Sequence, residues 1–113
     1  MNPRVIGPLC TLPTEELLEV QGLPVTIKRD YIVAGYVDFT QERVILFRGD
    51  GMSLVAPMSM FTGRPTTPDF EQFSITDYGQ TLVFGPFEAA VDSVLYDLDP
   101  QYKSKVDANR VTN

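Results

Sequence analysis

The chain of 113 residues contains no histidine. That removes the most frequent general base, every histidine-dependent nucleophile triad and the most frequent zinc ligand. It contains one cysteine, Cys10. A single thiol can form neither an intramolecular disulfide nor a thiolate zinc site, and it suits a reducing compartment. Cys10 lies in a proline-rich arm with Arg4 as its only nearby cation, so nothing marks it as an activated nucleophile. Long apolar runs are missing, which excludes a membrane-spanning helix. The opening stretch MNPRVIGPLC has one basic residue and a Gly-Pro break before any apolar region, unlike a secretory signal. The location expected is therefore cytoplasmic. Positive charge is scarce as well. Nine Lys and Arg face fifteen Asp and Glu, a net charge of −6. Basic residues number five against seven acidic in residues 1–56, and four against eight in residues 57–113. This balance argues against binding a phosphate backbone, and it is too modest for a nucleic-acid mimic.

What is present is the composition of an ordinary globular chain, 43% hydrophobic and 21% charged, long enough to bury one core. Residues 1–13, with Pro3, Gly7, Pro8 and Pro13, read as an irregular arm. Residues 14–109 read as a single α+β domain, and 110–113 as a polar tail. Thr14 can cap a short helix over 14–20, with Glu15 and Glu16 in its first turn; a strand at Leu17–Val20 is the alternative. Val25–Arg29 alternates like a strand. Tyr31–Phe39 is rich in β-branched and aromatic residues, with Gly35 as a candidate bulge. Val44–Arg48, VILFR, carries a continuous apolar run before its arginine, the pattern of a strand covered on both faces. Arg48-Gly49-Asp50-Gly51 is a hairpin turn, Ser53–Ala56 the returning strand, and Pro57 its stop. Gly63 to Pro68 is a loop. Gln72–Thr76 and Thr81–Phe84 are strands around the turn Asp77-Tyr78-Gly79. Gly85-Pro86 sets up a helix over 87–98, with Phe87, Val91, Val94, Leu95 and Leu98 as one apolar stripe. Asp99-Pro100 opens a further short helix over 100–109. The fold predicted is α+β: a small, mainly antiparallel sheet with the amphipathic helix 87–98 packed on one face.

The order of these segments resembles a small bacterial family of unknown function. Its members share a "DG…VPLS-aromatic" segment, then "F…G…I-x-W/F-P" and an acidic stretch ending in "LL" or "LY". Asp50-Gly51, Val55-Ala56-Pro57-Met58-Ser59 and Gly79-Gln80-Thr81-Leu82-Val83-Phe84 occupy those places, so the resemblance spans about residues 30–98. The departures are Ala56 before the proline, Phe84-Gly85 in place of tryptophan-proline, and a longer C-terminal tail. The resemblance implies a small α+β protein, standing alone or beside DNA-binding or toxin–antitoxin-like partners, with no activity attached. The second helix pair that a helix-turn-helix needs is missing, so DNA binding does not carry over.

Few residues invite a chemical role. Gly49-Asp50-Gly51 matches neither phosphate-loop spacing, and no helix follows it. Glu88 and Asp92 stand four apart in the predicted helix, on one face, with Asp97 and Asp99 beyond and no basic residue between. A solvated outer face is the plain reading; a cationic partner is the functional one. No metal or other cofactor is expected. Most of the seven Phe and five Tyr are core candidates. Met58, Met60 and Phe61 follow Pro57 into a loop, where they either anchor the loop or form an adaptable apolar contact patch. Met58, Met60, Phe61, Glu88 and Asp92 are therefore the candidate partner-binding residues. The function these readings suggest is a non-enzymatic interaction or regulatory module, acting as a homodimer or on a protein partner. The alternative is a ligand-binding or enzymatic domain using carboxylates and tyrosines such as Tyr36, Tyr78 and Tyr96.

Overall fold

In the computed structural model, which describes residues 5–63 and 65–111, all strand pairing is antiparallel. The strands are β1 (Cys10–Thr11), β2 (Ile32–Asp38), β3 (Arg43–Arg48), β4 (Ser53–Pro57), β5 (Phe73–Thr76), β6 (Thr81–Phe84) and β7 (Phe87–Ala90). The helices are α1 (Thr14–Gln21), α2 (Val25–Lys28), α3 (Val91–Leu98) and α4 (Pro100–Val111). Short 3-10 turns cover Met58–Phe61, Phe70–Gln72 and Asp77–Gly79. The class is α+β, and the strands divide into two sheets, ordered β1-β2-β3-β4 and β5-β6-β7. Residues 1–4 of the expected arm, Arg64 of the 63–68 loop and the last two residues of the tail lie outside the described residues.

Local chemistry sets the turns. Between β3 and β4 the Gly51 amide donates to the Arg48 carbonyl at 2.8 Å and the Arg48 amide to the Met52 carbonyl at 2.9 Å. Gly51 has φ 90°, so a tight turn is followed by a left-handed residue, the three-residue hairpin that glycine permits. Between β2 and β3 the buried Asp38 carboxylate accepts from the Thr40 and Gln41 amides, both at 3.1 Å, and lies 3.6 Å from Arg43 Nε.

Four expectations need correction. The helix placed over 87–98 begins at Val91, and Phe87–Ala90 is β7, paired with β6. Gly85, at φ 64°, and Pro86 form a two-residue hairpin turn instead of a helix start. The error has a simple source. A spacing of four, as from Phe87 to Val91, is a multiple of the strand period and close to the helix period, so both put the same residues inward. Val25–Lys28 is a helical turn rather than a strand; Val25 and Ile27 are 58% and 47% exposed, so their alternation serves no buried face. The arm is not irregular throughout. Cys10–Thr11 pairs with Gly35 and Ala34, and Ile6 bridges to Asp38, making the arm an edge of the first sheet. The irregularity in β2 falls between Ile32 and Ala34, not at Gly35. Gly35 is needed for closeness: a Cβ there would lie 2.8 Å from the Ile45 carbonyl oxygen and 3.3 Å from the Phe73 ring.

The core lies between the two sheets and α3. From the first sheet come Val37, Val44, Leu46 and Ala56; from the second, Ile75, Leu82, Phe84 and Phe87; from α3, Val91, Val94 and Leu95. Phe61 and Phe84 meet at 4.7 Å between ring centres, and Phe73 stacks on Phe84 at 5.1 Å. Helix α4, expected over 100–109, is polar and is held by charge. Arg48 donates from Nη1 to Asp99 at 2.9 Å, from Nη2 to Asp30 at 3.3 Å, and from Nε to the Arg29 carbonyl. Lys105 donates to the other Asp30 oxygen at 2.7 Å.

Candidate interaction surface

Alternation along β2, β3 and β4 gives the first sheet two faces. Register places Gly35, Val37, Val44, Leu46, Leu54 and Ala56 toward the second sheet and α3. It places Ala34 beside Phe47, and Tyr36 beside Ile45 beside Val55, on the opposite face. That outward set is apolar. Ile45 is only 8% exposed, while Val55 is 45% exposed. The Tyr36 and Phe47 rings lie 6.3 Å apart. At the hairpin end Val33 and Phe47 line an open groove of about 380 Å³ with Val25, Lys28 and Asp50. At the other end Asp38 and Arg43 close the face with charge. The second sheet behaves differently: Ser74, Thr76, Thr81, Val83 and Glu88 make its outward face largely polar.

Strand β4 closes the order of the first sheet, so one of its sides has no neighbour among the described strands. The Met58 amide donates to the Glu42 carbonyl at one end and the Arg48 amide to the Met52 carbonyl at the other. Antiparallel pairs alternate between bonded and non-bonded, so Ala56 and Leu54 bond to β3 while Ser53, Val55 and Pro57 turn their backbone groups outward. The open side thus offers the Ser53 and Val55 amides and the Ser53 and Val55 carbonyls, together with the Pro57 carbonyl, which has a second lone pair left beside its role as cap of the 3-10 turn Met58–Phe61. Proline has no amide to offer.

The candidate residues from the sequence fare unevenly. Phe61 is 1% exposed at the centre of the aromatic cluster, so it is core and cannot dock a partner. The 3-10 turn after Pro57 swings its ring inward. Met58 and Met60 are half-buried against the same core. Glu88 and Asp92 are both exposed but share no helix face, since Glu88 is on β7 and Asp92 on α3. Asp92 accepts from the Tyr102 hydroxyl at 2.9 Å across an open cleft of about 550 Å³ between α3 and α4. Tyr96 in that cleft donates to Asp107 at 2.8 Å, and the Lys103 ammonium and Arg110 guanidinium lie 5.1 and 5.5 Å from its ring centre.

Titration follows these contacts. Burial, and then the hydrogen bond to Asp92, push the Tyr102 phenol up to about 12. Burial would raise the Asp99 carboxyl, but the Arg48 guanidinium and the Tyr102 and Gln101 amides outweigh it and hold it below its ordinary value. The Cys10 thiol is raised by burial and donates to the Phe73 carbonyl at 3.1 Å, the state of a protonated packing group rather than a nucleophile. Among the described residues no three Asp, Glu or Cys side chains converge as metal ligands, and no helix is long and apolar enough to cross a membrane.

The run Val44–Phe47 reads as a strand covered on both faces, and Val44, Ile45 and Leu46 are indeed all buried; what that reading leaves out is the open outward side at Val55 of β4. The signal that could have found it is apolar residues at both alternating sets of β2 and β3 with too few helices to cover two faces. Comparison with known proteins finds no matching family model, no matching curated protein and no matching solved structure.

Proposed function

We propose that the chain is a cytoplasmic, non-catalytic protein-interaction module that docks its partner on the outward face of the first sheet. The observation that carries this reading is the outward apolar set Ala34, Tyr36, Ile45, Phe47 and Val55, in which Val55 is exposed, Ala34, Tyr36 and Phe47 are half-buried and Ile45 is buried among them. A sheet face of this composition lowers its free energy when a second apolar surface displaces its water. Aromatic residues at the centre and charge at the rim fit the anatomy of a protein interface. The resemblance to small bacterial proteins found alone or beside DNA-binding or toxin–antitoxin-like partners belongs to the same proposal. For a ligand-binding or enzymatic role through tyrosines and carboxylates, the α3–α4 cleft is the place that brings two tyrosines and several carboxylates together. There the phenols of Tyr96 and Tyr102 already bond to Asp107 and Asp92, which leaves them poorly placed to receive a substrate.

The test pairs a capture experiment with one variant. Tagged wild type and Phe47→Asp are used as baits in the native host. A specific partner retained by the wild type and lost by Phe47→Asp is the expected result, with circular dichroism showing both baits folded. Equal retention by both baits would move the docking surface elsewhere.

A further inference from the structure

The open side of β4 carries a second inference, which rests on the interaction-module reading and names one of its partners. We infer that β4 pairs antiparallel with β4 of a second copy about a two-fold axis through Val55. The outward backbone groups are self-complementary in that register. Val55 opposite Val55 of the second copy exchanges two amide-to-carbonyl bonds. Ser53 falls opposite Pro57, so each Ser53 amide meets a Pro57 carbonyl, and the amide that Pro57 lacks is missing from one position only on each side. All five residues of β4 are then paired. Centring on Leu54 instead would set Val55 against Ser53 and push Pro57 toward Gly51, where the hairpin has already turned away. Centring on Pro57 would leave no amide at the axis.

Side chains agree with the backbone. Val55 is among the exposed large apolar residues of the chain, and on the axis it would meet its own copy. The strand has no charged residue to discourage pairing, the usual protection of an open edge. Pairing of this kind extends the first sheet from four strands to eight and joins the two outward faces side by side. It therefore doubles the docking surface and leaves it free. A symmetric, isologous contact is also the commonest way for identical chains to associate.

A residue on a two-fold axis faces itself, and this gives a sharp test. Val55→Lys and Val55→Glu are each measured by sedimentation at micromolar concentration, alone and mixed in equal amounts. The wild type is expected to be a dimer. Each variant alone is expected to dimerise at least tenfold more weakly, because like charges stand directly opposed. The equimolar mixture is expected to recover a dimer, because opposite charges then meet. Val55→Pro supplies an independent reading: it removes an amide that points away from β3, so the chain folds but the dimer is lost. A monomeric wild type, or charge variants that dimerise as well alone as mixed, would overturn the inference. So would a wild-type dimer that survives Val55→Pro and is lost in Phe47→Asp, which would place self-association on the sheet face. The interaction-module reading fails separately, when Phe47→Asp keeps every captured partner.

Discussion

Leu95 and Phe61 show how differently an apolar residue can behave for reasons its own letter does not reveal. Leu95 lies on the buried face of α3 with no measurable exposure. Leu95→Ala is expected to cost about 2–5 kcal/mol in a urea melt. Phe61 was legible as a large apolar residue after a proline stop, and its surroundings favoured a loop anchor over a contact patch. Its place was decided by Phe70, Phe84 and Phe87, which come from 9 to 26 residues later and surround its ring. Phe61→Ala should therefore destabilise by about 3–5 kcal/mol, and loss of binding in that variant would track loss of folding. Asp99 gives a residue-level prediction in pH. Its native value lies below the ordinary 3.8, so its ionised form stabilises the fold fully above about pH 4. That contribution is lost as the pH falls through the depressed native value. Asp99→Asn should flatten this acid limb, read from urea midpoints across the range.

At the scale of elements, strand and turn chemistry was readable where it was local. The β3–β4 hairpin needed only Asp50-Gly51 and two apolar runs. Helix α3 was legible from its stripe but not its start, because Gly85-Pro86 serves a hairpin as well as a helix. The pairing of β1 with β2 could not be read, since it joins Cys10 to Gly35 across two intervening helices. Helix α4 is the element most dependent on charge. Arg48 ties the end of β3 to Asp99, where α4 begins, and to Asp30, just after α2. Arg48→Ala is expected to cost about 2–3 kcal/mol, less than a fully buried pair because both carboxylates keep some water. Hydrogen exchange in α4 should rise more than in α3. On the alkaline side, Tyr102 stabilises the docked helix fully below pH 10, its ordinary value, and loses that contribution as the pH rises toward its native value of about 12. Phenolate absorbance should show one late-titrating tyrosine that Tyr102→Phe removes.

For the whole molecule, the class was legible and the division into two sheets was not. Nothing in the strand lengths says that β4 and β5 part company; the 3-10 turn at Met58–Phe61 and the long connection after it do so in space. The outward face of the first sheet followed from that division, which is why the surface proposed to bind could not be read from sequence. The contact of Cys10 with Phe73 spans the same division: the thiol hangs from β1 and its acceptor belongs to β5. The molecule thus carries its own clock for the parting of its sheets. Cys10 is half-exposed, so a thiol reagent reaches it slowly in the folded state and labelling should quicken when that bond opens. In rising urea below the global transition, a rate that climbs steeply would report concerted separation, and a rate that stays flat would report fraying of the arm alone.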